Sequence, residues 1–195
     1  MHYALVKTSG APTLAINGIR MHRTKDITPL EDAASKINLL KIRRGFVLDT
    51  CCGLGYSAIE ASKFADNVIT FEKNPHVIEI AKQNEYSRKL FEKNNIRLIN
   101  GDIYEEIKKF DSKLFDYVIH DPPRLALAGE LYGRIFYDEL YRVIKAGGKM
   151  FHYIGSPGSR YRHKNIKKGV MRRLNDAGFK SVSADEAQGV IGIKV

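Results

Sequence analysis

Hydrophobic positions in this chain fall into short runs of two kinds. Residues 46–50, 68–71, 96–100 and 115–120 are nearly continuous apolar stretches, as strands covered on both faces of a sheet should be. Between them, residues 56–64, 75–93 and 103–110 repeat apolar side chains three and four apart, the period of a helix with one buried face. The alternation continues with a helix over 130–145 that Gly147-Gly148 terminates, a strand over 149–154 and a helix over 164–177 ending at Gly178. Two strands, 179–184 and 189–195, close the chain.

Ahead of this series, residues 3–7 read as a strand and 13–20 as a hairpin, with Asn17-Gly18 supplying two positive-φ turn positions. A helix then runs from Pro29 to about Ile42, with Thr28 as its N-cap and Glu31 and Asp32 in its first turn. Five strand–helix units and a final strand pair predict an α/β, Rossmann-like fold. Its seven-stranded, mostly parallel sheet carries helices on both faces. Residues 1–45 form a small hairpin-and-helix extension, and 46–195 one structural unit.

The most informative segment is Asp49-Thr50-Cys51-Cys52-Gly53-Leu54-Gly55-Tyr56, where a buried strand enters a glycine turn and then a helix. Gly53 and Gly55 allow a tight turn and close approach of a ligand to the backbone, and ligands of open parallel sheets lie at the carboxyl ends of the strands. Gly53-x-Gly55-x-x-Ala58 with Glu72 downstream also suits a dinucleotide. Asp49 separates the two readings, because an acid there repels pyrophosphate and attracts a cationic ligand.

Asp49-x-x-x-Gly53-x-Gly55 resembles motif I of class I S-adenosylmethionine-dependent methyltransferases. The resemblance extends over residues 46–195 and implies S-adenosylmethionine as cofactor. It places Asp49, Gly53 and Gly55 at the methionine half, Glu72 at the ribose, and Asp102 and Ile103 at the adenine, and it implies Cys51, Tyr56, Lys73, Asn74 and Asp121 as further cofactor-binding residues. Asp102 is equally well placed to cap the next helix. The whole chain is also similar to a family of archaeal proteins described as predicted methyltransferases.

After the fourth strand comes His120-Asp121-Pro122-Pro123-Arg124. Two prolines fix φ and remove two donors, leaving a rigid set of acceptors beside a carboxylate. Such a set suits an exocyclic amine, whose hydrogens Asp121 and the Pro122 carbonyl would accept. The motif resembles the Asp-Pro-Pro-aromatic signature of amino-group methyltransferases that act on nucleic acids. Arg124 replaces the aromatic residue, and a guanidinium plane can also stack on a base. The same four residues occur in RNA uridine C5-methyltransferases, which need a cysteine near the fifth strand. Residues 151–157 contain none, so covalent chemistry at C5 is not expected.

Charge then narrows the partner. Lysine and arginine number 32 against 22 acids, a formal net charge of +10, which favours a polyanion such as rRNA or tRNA. A thermophile's Lys/Arg-rich surface gives the same count. Arg160, Arg162, Lys164, Lys167 and Lys168 form a candidate phosphate track on the same side of the sheet as Asp121, or a solvated helix face. The adjacent Cys51 and Cys52 argue for a reduced compartment, and no His or Cys spacing suggests a metal site. No apolar stretch approaches a membrane span, and residues 1–10 do not read as a signal peptide; the expected location is cytoplasmic. His120 and His152 are expected in the core, as are Tyr132, Ile135, Phe136, Leu140 and Val143. Residues 21–26 are a candidate lid over the cofactor.

The expected activity is methylation of an exocyclic base amine (cytidine N4, guanosine N2 or adenosine N6) in RNA. The alternatives are a small-molecule methyltransferase, a polyamine aminopropyltransferase and an RNA-binding protein without catalysis.

Overall fold

The computed structural model describes residues 1–155 and 160–195, with side chains described outside 160–165. Three short strands, β1 (Tyr3–Val6), β2 (Thr13–Ile16) and β3 (Ile19–Arg20), form an antiparallel sheet. Asn17 and Gly18 turn it with φ of 48° and 78°. Helix α1 (Pro29–Leu40) follows. Thr28 accepts from the Glu31 amide, Glu31 reaches back to the Thr28 amide, and Lys41 ends the helix in a left-handed conformation.

The main body contains β4 (Phe46–Asp49), α2 (Tyr56–Ala61), β5 (Asn67–Glu72), α3 (Pro75–Gln83), α4 (Arg88–Glu92), β6 (Ile96–Asn100) and α5 (Ile103–Glu106). It continues with β7 (Phe115–His120), α6 (Arg134–Val143), β8 (Ile144–Tyr153), α7 (Arg160–Asp176), β9 (Phe179–Ala184) and β10 (Gly189–Lys194). The seven-stranded sheet runs β6-β5-β4-β7-β8-β10-β9, parallel except for β10, which is antiparallel to both its neighbours. The fold is the expected Rossmann-like α/β architecture. Strand order reverses between β4 and β7, so the crevice for a ligand opens beyond their carboxyl ends.

Alternate residues of the central strands feed two cores. Leu48, Val118 and Met150 pack with Phe136, Leu140, Val170 and Leu174 on one face. Val47, Ile119 and Phe151 pack with Ile37, Leu40, Ala58 and Leu90 on the other. Helix α1 therefore belongs to the main core although it precedes the first central strand. At about 1.5–3 kcal/mol per large apolar side chain, Ile37 and Leu40 alone make its docking substantial.

Three local expectations are corrected. The helix expected over 75–93 is broken, because Asn84 is extended (φ −95°, ψ 115°) and restarts the chain through a 3-10 turn. Its buried side chain accepts from the Tyr86 amide and donates to the Tyr56 hydroxyl (2.8 Å) and Ser87 Oγ (2.7 Å). Those bonds replace the helical ones. Gly147-Gly148 do not terminate a helix. Helix α6 ends at Val143, and both glycines lie inside β8, where the register to β7 shifts between Phe115 and Tyr117. A Cβ on Gly148 would come within 2.6 Å of Ile144 Cγ2 and 2.8 Å of the Asp116 carbonyl. Ile135, expected in the core, is 67% exposed, while Tyr132, Phe136, Leu140 and Val143 are buried.

Asn84→Ala should cost about 2 kcal/mol, since it strands the Tyr56 and Ser87 partners in the interior. Urea denaturation with an unchanged m-value would measure it.

Candidate active site

Four parallel strands bring their carboxyl ends to one crevice. Asp49 ends β4, Glu72 ends β5, Asp102 follows β6, and Asp121 follows β7. The four acids differ in what already holds them.

Asp49 is fully buried. Its Oδ2 accepts from Thr70 Oγ1 on the adjacent strand at 2.6 Å, while Oδ1 has no partner among the described residues. Burial pushes this carboxyl up to about 7, against the Thr70 hydrogen bond and together with the nearby Asp121 charge. A buried acceptor without a donor is costly, and a cation or N–H donor in the crevice would relieve it.

The two glycines divide their tasks. Gly53 has φ of 54°, and a Cβ built on it meets no atom within 4 Å, so its inner surface is open to a ligand. Gly55 has φ of 78°, and its Cβ would approach Leu90 Cδ2 to 2.7 Å, so it lets α4 pack closely on the turn. Glu72 is partly buried and braces the same turn, accepting from the Gly53 amide and from the Asn74 amide, both at 2.9 Å. Burial raises its pKa, and backbone hydrogen bonds from Asn74, Gly53 and Lys73 oppose that rise. Each oxygen keeps a lone pair for a second donor.

Other residues from the sequence reading are committed to the fold. The Tyr56 ring is buried, and its hydroxyl donates to the Pro12 carbonyl and accepts from Asn84 (both 2.8 Å), tying the hairpin to α2. Asn74 caps α3 through His76 and donates to the Tyr3 hydroxyl at 2.6 Å. Asp102 caps α5 by accepting from the Tyr104 amide at 3.0 Å. Its other oxygen pairs with the exposed Lys73 at 2.6 Å, so an adenine amine would compete with that lysine. Ile103 is buried in the core beneath. Cys51 is half-buried and Cys52 buried, and burial pushes both thiols up, so neither is an activated nucleophile.

At the loop after β7, Pro122 is buried, whereas Pro123 and Arg124 are exposed. The Pro123 carbonyl accepts from the Tyr132 hydroxyl at 3.0 Å, and the Arg124 carbonyl receives the Leu127 amide at 2.7 Å, which stiffens the loop. Arg173 Nε donates to the Tyr132 carbonyl at 2.8 Å, giving α7 a structural grip on this region. Beneath it His120 is buried between Thr50 Oγ1 (2.8 Å) and the Leu131 carbonyl (2.9 Å), and burial lowers its pKa to about 4. His152 is also buried, bonded through Nε2 to the Tyr137 hydroxyl at 2.8 Å, and burial lowers its pKa. Neutral imidazoles of this kind are core groups.

One residue that the sequence reading missed, Lys36, contacts Asp121 directly and joins it to Asp32 and Arg23. Lys36 of α1 pairs with Asp121 Oδ2 at 2.6 Å and with Asp32 Oδ2 at 2.7 Å, and lies 4.5 Å from the centre of the Tyr153 ring. Arg23 closes the series on Asp32 at 2.8 Å and donates to the Glu186 carbonyl at 3.2 Å. The signal was present: Lys36 lies on the apolar face of α1, between Ala33 and Ile37, where a lysine needs a buried partner. Residues 21–26, the candidate lid, are anchored here, with His22 bonded to Thr13 Oγ1 at 2.9 Å and its ring tilted against Tyr56 at 5.2 Å between centroids.

Lys167 pairs with Asp185, and Lys168 is exposed. The side chains of Arg160, Arg162 and Lys164 lie outside the described residues. Among the described residues there is no group of His, Cys, Asp and Glu able to hold a metal, and no helix long and apolar enough to cross a membrane.

The family model described as "Conserved hypothetical protein 95" matches residues 25–128, which contain all four acids and the glycine turn. Uncharacterized protein MJ1233 of Methanocaldococcus jannaschii is 55% identical over 195 residues, covering 99% of this chain and 67% of that protein. Among solved structures, a spermidine synthase in complex with the transition state analogue AdoDATO superposes with a TM-score of 0.75 at 18% identity, over 100% of this chain and 72% of its own. A Methanococcus maripaludis protein assigned as an S-adenosyl-L-methionine-dependent methyltransferase gives 0.59 at 19% identity, over 86% of both chains. At such identities the likeness is one of fold.

Asp49 and His120 should pull stability in opposite directions with pH. Asp49 titrates at about 7 when folded against 3.8 in the free side chain, so its contribution is full below 3.8 and lost as pH rises through 7. His120 titrates at about 4 against 6.5, so its contribution is full above 6.5 and lost as pH falls through 4. Asp49→Asn should therefore gain roughly 1–3 kcal/mol over the wild type at about pH 8, with no gain at about pH 4, in thermal melts across that range. The glycines should separate as well. Gly55→Ala should lose about 2 kcal/mol or more, partly restored by Leu90→Ala, whereas Gly53→Ala should lose only the left-handed backbone cost of about 1 kcal/mol.

Proposed function

The chain belongs to the conserved hypothetical protein 95 family, and from that footing we propose that it is an S-adenosylmethionine-dependent methyltransferase acting on an exocyclic base amine of rRNA or tRNA. The observation that carries the reading is the unpartnered Asp49 Oδ1 beside the open face of Gly53. A buried carboxyl and a bare glycine turn fit a ligand whose end near the turn is cationic, and they do not fit a pyrophosphate. Residues able to hold the cofactor are Asp49 and Gly53 at its methionine end, Glu72 at the ribose and Asp102 at the base. S-adenosylmethionine would supply an electrophilic methyl group on a sulfonium.

The remaining work falls to the chain's own residues. Asp121 and the Pro122 carbonyl would take the hydrogens of an amine and direct its lone pair into the crevice, which is largely catalysis by positioning. The Asp121 carboxylate would also stabilise the positive charge developing on that nitrogen. Asp49, which titrates at about 7, lies at the cofactor's methionine end and not beside the amine, so the proton would leave to solvent after transfer. The net charge of +10 and the exposed Arg124 and Lys168 support a polyanionic substrate.

A second reading, polyamine aminopropyl transfer, rests on the fold likeness to spermidine synthase over 100% of this chain at a TM-score of 0.75.

S-adenosylmethionine affinity should rise about tenfold per pH unit towards pH 7 and level off above it, as Asp49 ionises, and Asp49→Asn should abolish that slope in calorimetric titrations. Asp121→Ala should keep the affinity and lose about 10²–10³ in turnover. Mass spectrometry of nucleosides from rRNA and tRNA, with and without the gene, identifies the target. Unchanged nucleosides together with no cofactor binding would sink the reading.

A further inference from the structure

Asp121 is the most exposed acid of the Arg23–Asp32–Lys36–Asp121 series, with 25% of its side chain accessible. It is not a free anion. Lys36, whose side chain is only 5% accessible, reaches Asp121 Oδ2 from the protein side at 2.6 Å. The other bond of the ammonium goes to Asp32, itself 3% accessible, and the Tyr153 ring covers it. Burial works against the charge on Lys36, but the Asp121 and Asp32 carboxylates outweigh it and hold the ammonium protonated. Among the described residues Asp121 Oδ1 carries no hydrogen bond. The loop thus presents one open acceptor oxygen on a carboxylate whose charge is already matched.

Cationic and neutral acceptors place different demands on such a group. A polyamine ammonium entering a partly dehydrated crevice needs an unpaired carboxylate, and it would meet the Lys36 ammonium behind Asp121. The other acids near the turn are occupied differently. Asp49 faces the donor end, Glu72 braces Gly53 and Asn74, and Asp102 pairs with Lys73. An uncharged base amine needs only a lone pair, which Oδ1 supplies. Resting on the reading of Asp121 as the acceptor-side group, we infer that Lys36 is a specificity-determining residue that restricts the acceptor to an uncharged amine and excludes polyamines.

Calorimetric titration of putrescine into the wild type, Lys36→Met and Lys36→Arg tests this. Lys36→Met should bind putrescine roughly tenfold tighter than the wild type, because Asp121 becomes an unmatched carboxylate, and Lys36→Arg should behave as the wild type. Amide hydrogen exchange over residues 121–128 should quicken in Lys36→Met and not in Lys36→Arg. Lys36→Met also strands Asp32, so the double variant Asp32→Asn/Lys36→Met provides the same comparison if the single one does not fold. Equal putrescine affinity in wild type and Lys36→Met, or tight binding by the wild type itself, would overturn the inference. The titration needs no cofactor. A wild type that binds no S-adenosylmethionine therefore counts against the methyltransferase reading, separately from the result for Lys36.

Discussion

A carboxyl group held dry at the end of a central strand is the constraint around which this molecule is arranged. Asp49 has one oxygen satisfied by Thr70 of the neighbouring strand and the other left without a donor. A buried strand end does not tolerate this by accident, because an unpaired buried oxygen costs on the order of 1–3 kcal/mol. The turn that follows is built to leave the place open. Gly53 presents no side chain, Glu72 fixes its amide from β5, and Gly55 brings α4 against the turn. The cost is concentrated where the strand order reverses, the position at which doubly wound sheets receive ligands.

The N-terminal extension is part of that site. Its helix shares a core with Val47 and Ala58, so the packing that docks α1 also delivers Lys36 to the loop after β7. Tyr3 on Asn74, Pro12 on Tyr56 and Arg23 on Asp32 fasten the hairpin and the segment after it at successive points. Residues that look accessory in sequence order therefore set the electrostatics around Asp121.

A second polar layer lies beneath the loop after β7. His120 and His152, with ring centroids 4.4 Å apart, are held neutral by burial and bonded to Thr50, Leu131 and Tyr137. Hydrogen bonds in such surroundings are directional and strong. This layer, with Tyr132 on the Pro123 carbonyl and Arg173 on the Tyr132 carbonyl, gives the loop a fixed floor.

Periodicity and local chemistry in the sequence determined most of the architecture. Apolar runs marked the parallel strands, Thr28 and Pro29 the start of α1, Asn17-Gly18 the hairpin, and Asp49 with two glycines the crevice, because each signal is local to a few residues. Tertiary structure alone decided what depends on partners far along the chain. Asn84 breaks a helix because Tyr56 lies within reach. Gly148 sits in a strand because its neighbour there is the backbone of Asp116. Asp102 caps a helix and pairs with Lys73. Lys36 reads from sequence as a lysine on the wrong face of a helix, and only the approach of Asp121, 85 positions later, makes its burial favourable. Pairing between such distant charges leaves no periodic trace, since it is set by how the layers pack and not by the spacing of residues along one element.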